Sequence, residues 1–214
     1  MTVTERTPLS RERVAAAALL FIDEHGLDGL SMRKLGAALG VEAMSLYNHV
    51  ENKDDLLIAV TDRLYSDILV SYGEPDGDWR VKARAMCRAY VQVADAHPHA
   101  ISLLVDRPVD APTGLDFISR IVSIFEGEID DMRTGVLAFS VASNWVIGTI
   151  IQEHGLLERL RSEGEGIAEA DVPEQYRSLV RFRDACVRDV SPVDRFERGL
   201  DAILDGIEAR FLSS

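Results

Sequence analysis

Apolar residues recur along this chain at helical spacing almost from end to end. Val14, Ala18, Phe21 and Ile22 share one face of a segment from Ser10 to His25, and Gly26 is placed to end it. Met32, Leu35 and Leu39 repeat at i, i+3 and i+7 behind Ser31, whose hydroxyl can cap a free backbone N–H. Gly40 stops that short helix, Val41 plugs the turn with an apolar side chain, and a second short helix is expected from Glu42 to His49. Asn52 then caps a longer helix over residues 53–70, with Asp54 and Asp55 at its positive end and a stripe of Leu57, Val60, Leu64 and Ile68.

Tyr72 to Asp78 is a turn-rich break. Asp78 can cap a helix carrying Trp79, Met86, Tyr90 and Val93 as far as His97-Pro98, and short helices are expected around Ile101–Asp106 and Gly114–Phe125. A helix from about Asp131 to Leu160 is apolar on nearly all sides between Val136 and Ile151, the mark of a helix surrounded by others. Ser162 to Pro173 reads as a polar, glycine-rich loop. Two last helices carry stripes of Leu179, Phe182, Cys186 and Val190, then Phe196, Leu200, Ile203, Leu204, Ile207 and Phe211. With no sustained period-2 alternation, the fold class is all-α.

The two short helices around Gly40 have the spacing of a helix-turn-helix, which lays its second helix in a DNA major groove. Leu46 and Val50 fall on the inner side of that second helix, leaving Met44, Ser45, Tyr47 and Asn48 outside. A thioether, a hydroxyl, a phenol and an amide suit base edges and phosphates better than they suit bulk solvent. The alternative is a packed helical hairpin in which Met44 and Tyr47 fill a core.

Charge complicates this picture. The 214 residues carry a net charge of −13, and non-specific DNA affinity comes from cations that neutralise phosphates. Residues 1–66 hold seven Lys and Arg against ten Asp and Glu, yet Arg6, Arg11, Arg33, Lys34, His49 and Lys53 gather around the motif. Such a chain repels DNA unless the motif docks correctly. Cys87 and Cys186 sit among apolar neighbours, as buried thiols do. Met1 to Ser10 is polar, and the run from Val136 to Ile151 is shorter than the roughly 20 residues of a membrane span, so a cytoplasmic protein without membrane association is expected.

Residues 9–70 resemble the N-terminal domain of the TetR (tetracycline repressor) family of transcriptional regulators. The match rests on Arg33-Lys34-Leu35, Leu39-Gly40-Val41-Glu42, Leu46-Tyr47 and His49-Val50-x-Asn52-Lys53. The resemblance implies that Arg33 reads a guanine, that Tyr47 and His49 hold phosphates, and that Lys53 fastens the start of the next helix to the DNA backbone. Ala43, Met44, Ser45 and Asn48 differ from the residues of the tetracycline-binding members, so a different operator is expected. The candidate DNA-binding set is Ser31, Arg33, Ala43, Met44, Ser45, Tyr47, Asn48, His49 and Lys53.

A looser similarity continues to about residue 211 through Trp79, His97-Pro98, Arg107-Pro108, Gly148 and Phe196-x-x-Gly199-Leu200-Asp201-x-Ile203-Leu204-x-Gly206. It implies that the helices Asp131–Leu160 and Pro192–Leu212 pair with those of a second copy in a four-helix bundle, giving a homodimer on a palindromic double-stranded operator. The tetracycline-binding members of the family have a metal-binding histidine where this sequence places Leu103 or Leu104, and Gln152 stands near their essential acidic residue, so a more apolar small-molecule effector is expected. Tyr90, Phe117, Asn144, Trp145 and Gln152 are the candidate effector-binding residues. His97, His99 and His154 give only weak metal-site spacing, no metal or cofactor is assigned, and no catalytic constellation emerges.

The chain is thus expected to comprise a DNA-binding domain over 1–52, a linker helix over 53–70 and an effector and dimerisation domain over 71–214. A ligand-controlled repressor is the leading reading. A helical ligand carrier without DNA binding and an all-α enzyme are the alternatives.

Overall fold

A computed structural model describes residues 8–107, 111–129, 131–157, 159 and 168–212, and every regular element among them is helical. Arg6, Pro108, Leu160 and residues 162–167 of the expected loop lie outside the described residues. The chain divides into two compact units. One takes the chain up to Asp76 together with Arg88–Ile124, and the other takes Gly77–Cys87 and the chain from Phe125 onward. The division by packing therefore differs from the functional boundary expected near residue 71.

In the first unit, α1 (Arg11–His25) starts from Ser10, whose side chain accepts a hydrogen bond from the Arg13 N–H. It buries Val14, Ala15, Ala18, Leu19 and Ile22 against α4 (Lys53–Tyr72), which answers with Leu56, Val60, Leu64 and Ile68. Between them lie α2 (Met32–Leu39) and the single turn α3 (Ala43–Leu46). The unit is completed by the C-terminal part of α5 (Trp79–Ala96), by α6 (Leu103–Asp106) and by α7 (Pro112–Ile124), which packs on α4. Asp62 of α4 accepts hydrogen bonds from the Thr113 and Gly114 N–H groups and from the Thr113 hydroxyl. One carboxylate thus occupies the electropositive start of α7.

The second unit is built on α8 (Met132–Ile151) and α10 (Pro192–Ile207), which pack along one another. Phe196, Leu200, Leu204 and Ile207 of α10 are buried, as are Ala138, Val146 and Ile150 of α8. Trp145 lies against Gly199, where any Cβ would fall 1.9 Å from the indole. On the other edge of α10, Arg80 pairs with Asp205 and Glu208, and Arg84 with Glu197 and Asp201.

Two expectations are corrected here. The stripe Leu179, Phe182 of α9 (Arg177–Asp184) faces outward, Leu179 being 61 % and Phe182 70 % exposed, while Val180 is the buried residue. Helical spacing identifies a face without saying which side of the helix is covered. Moreover, α8 continues through a π-helical stretch, Gln152–Leu157, so the segment Met132–Gly155 is long and apolar enough to cross a membrane by length and composition. The length argument against a membrane span therefore fails, and the apolar surface of α8 needs another explanation.

Candidate nucleic-acid interface

Local sequence builds the motif. The Ser31 hydroxyl accepts from the Lys34 N–H and starts α2, and Gly40 ends it in the left-handed region at φ 67°. The two helices then meet closely at Gly36. A Cβ there would stand 3.0 Å from the Val41 carbonyl oxygen and 3.2 Å from the Ala43 backbone, so any side chain at this position must push α2 and α3 slightly apart.

α3 is shorter than expected, since the expected segment Glu42–His49 is helical only over Ala43–Leu46. Tyr47 and His49 donate their N–H groups to the Met44 and Leu46 carbonyls, three residues back, which turns the chain toward α4. Asn48 and His49 are weak helix formers, so the turn continues without a helix. The inward and outward assignment holds. Leu46 and Val50 are buried, Met44 is 74 % and Tyr47 43 % exposed, and Asn48 is exposed. The alternative in which Met44 and Tyr47 fill a core is excluded. Arg33 and Lys53 are exposed, whereas Ser31, Ala43, Ser45 and His49 are half-buried. Ser31 spends its acceptor on the α2 cap.

A clamp that sequence reasoning did not find holds the end of this motif. Arg11 grips both Asp55 oxygens, at 2.5 and 2.7 Å, and donates to the His49 carbonyl at 3.3 Å. Asp55 also accepts from the Glu51 N–H at 2.8 Å, while its own N–H is capped by the Asn52 side chain. The guanidinium hydrogen bond holds the Asp55 carboxyl below its usual range. Three elements, α1, the turn 49–52 and α4, are thereby joined at the edge that presents His49 and Lys53. A net acidic domain thus exposes Arg33 and Lys53 beside a row of neutral hydrogen-bonding groups. This arrangement fits a groove with phosphates on either side.

Residues 14–60 match the description "Bacterial regulatory proteins, tetR family", and residues 73–211 match "Tetracyclin repressor-like, C-terminal domain". The chain belongs to the tetR family. It is accordingly a ligand-responsive, DNA-binding regulator of a kind that acts as a dimer. It is similar to the HTH-type transcriptional repressor DrrR1 of Streptomyces coeruleorubidus, at 31 % identity over 94 % of this chain and 77 % of that protein. With the class A tetracycline repressor of Escherichia coli it shares 27 % identity over 96 % and 94 % of the two chains. The structure of Streptomyces coelicolor ActR in complex with actinorhodin superposes with a TM-score of 0.74, at 25 % identity over 96 % of this chain and 98 % of that one.

The candidate effector residues of this family member fall into two groups. In the first unit, the Phe117 ring lies 6.3 Å from Tyr90 and 4.9 Å from Tyr65, a partner that the sequence reading missed. Burial raises the pKa of both tyrosines, and Leu103 and Leu104 are also buried. In the second unit, Trp145 turns toward α10 with its Nε1 buried and without a hydrogen-bond partner among the described residues. Asn144 and Gln152 are exposed on α8 and its extension. Their place is on the outer face, with Leu137 and Ile151. Of the histidines weighed as metal ligands, His97 Nδ1 lies 2.8 Å from Asp23 Oδ2, and His99 Nδ1 lies 2.9 Å from the Asp23 carbonyl oxygen. Both are engaged in tying α1 to the segment after α5.

An open groove of about 730 Å3 runs beside α1, α4 and the start of α7, lined in part by Glu12, Ile58, Arg63 and Val70. Arg11, Asp62 and Arg63, which also line it, are held by Asp55, by Thr113 and by Asp67.

Proposed function

We propose that this protein is a repressor whose two copies place α3 in successive major grooves of a palindromic operator, and which leaves the DNA when a small molecule binds. The observation that carries this reading is the outward display of Met44 on α3 and of Tyr47 and Asn48 on the turn that follows it, with Leu46 buried beneath them. In this reading Asn48, Met44 and Ser45 meet base edges, with Ala43 allowing close approach. Arg33 reads a base from α2, while Tyr47, His49, Lys53 and the Ser31 hydroxyl hold phosphates. Residues 1–52 form the DNA-binding part, 53–70 the linker helix and 71–214 the effector and dimerisation part.

The effector is a ring-bearing, largely apolar molecule. Supporting this are the aromatic group Tyr65, Tyr90 and Phe117, the leucines at 103 and 104, and the actinorhodin complex of ActR. Coupling of about 1–3 kcal/mol between effector and operator lowers DNA affinity about 5- to 150-fold, which is sufficient for a switch. The protein works in the cytoplasm, where the operator is, and as a binding protein without turnover. The names of its relatives as regulators and repressors support that reading.

The net charge of −13 favours one rival, a ligand carrier without DNA binding. A gel-shift titration with the DNA flanking the protein's own gene separates the two. The repressor shifts that DNA, and Arg33→Ala with Tyr47→Phe weakens the shift at least tenfold. A carrier gives no salt-dependent shift, and an operator complex indifferent to the double substitution rules out the docking.

A further inference from the structure

Asp55 puts a negative charge where the domain meets a polyanion. It stands two residues after Lys53 in the first turn of α4, beside the turn that carries His49. A carboxylate at such an edge repels phosphates and by itself weakens DNA binding. This one is not free to turn toward solvent, being 21 % exposed. Its Oδ1 lies 2.5 Å from Arg11 Nη2, and its Oδ2 accepts from Arg11 Nη1 at 2.7 Å and from the Glu51 N–H at 2.8 Å. The hydrogen bond from Arg11 keeps the carboxyl below its usual range, so it is ionised at neutral pH.

The same guanidinium reaches the backbone. Arg11 donates to the His49 carbonyl and to the Asp55 carbonyl, each at 3.3 Å, and the Asn52 side chain accepts from the Asp55 N–H at 2.9 Å. The turn is thus tied to the clamp at His49, at Glu51 and at Asn52. No helix spans it, because α3 ends at Leu46 and α4 begins at Lys53. Its shape therefore depends on side chains, and a forked guanidinium–carboxylate pair fixes the plane of both partners as a point charge cannot. Partly exposed ion pairs add little to folding stability. Binding is affected differently, since groups already ordered in the free protein need not be ordered on the DNA.

We infer that Arg11 and Asp55 are positioning residues for DNA binding, and that this carboxylate raises operator affinity by holding His49 and Lys53 in place to meet the phosphates. The sign of the effect is opposite to that of its charge.

This inference rests on the docking proposed for α3 and the turn after it, and anisotropy titrations of the full chain on the DNA flanking its own gene test the two separately. Asp54→Asn is the control. It removes the same charge from the same turn of α4, with the same loss at the positive helix end, but Asp54 pairs with Arg107 and lies outside the clamp. Charge alone makes both asparagine variants bind more tightly. The clamp instead predicts that Asp55→Asn weakens binding at least fivefold while Asp54→Asn binds at least as tightly as the wild type. Arg11→Lys, which keeps the charge and loses the fork, should weaken binding like Asp55→Asn. In a Lys53→Ala chain the Asp55→Asn penalty should shrink, whereas a loss through general unfolding would persist in both backgrounds. If Asp55→Asn and Arg11→Lys, folded by circular dichroism, bind as tightly as the wild type, or if Asp54→Asn weakens binding as much as Asp55→Asn, the clamp has no positioning role and the docking stands. A wild-type chain that shows no salt-dependent binding overturns the docking and this inference with it.

Discussion

Gly36 shows how much one residue decides. With the Val41 carbonyl 3.0 Å from where its Cβ would stand, Gly36→Val must force α2 and α3 apart. The substitution is expected to cost about 1–3 kcal/mol by overpacking. It should also abolish operator binding, as read by thermal melts alongside a gel shift. Asp55 carries a pH signature. Its carboxyl is held below the ordinary value by Arg11, so its contribution is full above about pH 4 and is lost as the pH falls through the lowered value. Arg11 is 41 % exposed, which limits the pair to about 1 kcal/mol after solvent screening. Melts of wild type and Asp55→Asn should therefore differ at pH 6, and the difference should shrink as the pH falls through the lowered Asp55 value. Ser31, Gly40 and Asn52 were legible in the sequence because a cap or a left-handed turn depends on its immediate neighbours. The Arg11–Asp55 clamp spans 44 positions and has no local signature.

Among the elements, α10 combines a buried stripe, a glycine notch and an acidic edge in 16 residues. Gly199→Ala would drive a methyl into the Trp145 indole, and the expected outcome is a loss of about 1–3 kcal/mol in unfolding free energy, checked by denaturant titration. The buried stripe of α10 was readable from spacing, because four of its apolar residues meet a covered face. The same reasoning reversed α9, where Leu179 and Phe182 point outward. It also lengthened α3, whose last residues bond three positions back and whose inward and outward faces were nonetheless assigned correctly. For α8 the periodicity disclosed an apolar surface on nearly all sides, but not which part of it the chain's own core covers and which stays exposed. Asn144 and Gln152, expected at the effector site, are both exposed.

At the scale of the whole molecule, an acidic chain of net charge −13 must find its operator through a few cations placed at the motif. Removing one phosphate contact by Lys53→Ala should weaken binding to all sequences alike and flatten the salt dependence by about one unit of slope. Base discrimination should stay intact in that variant. The measurement that addresses the α3 docking most directly is an anisotropy titration of wild type and Asn48→Ala on the DNA flanking the protein's own gene, repeated over single base-pair substitutions. With Asn48 in the groove, the wild type loses about 1–3 kcal/mol for the wrong base pair at one position in each half-site, and Asn48→Ala no longer distinguishes that position. A variant that keeps the wild-type affinity and the wild-type base profile contradicts the account.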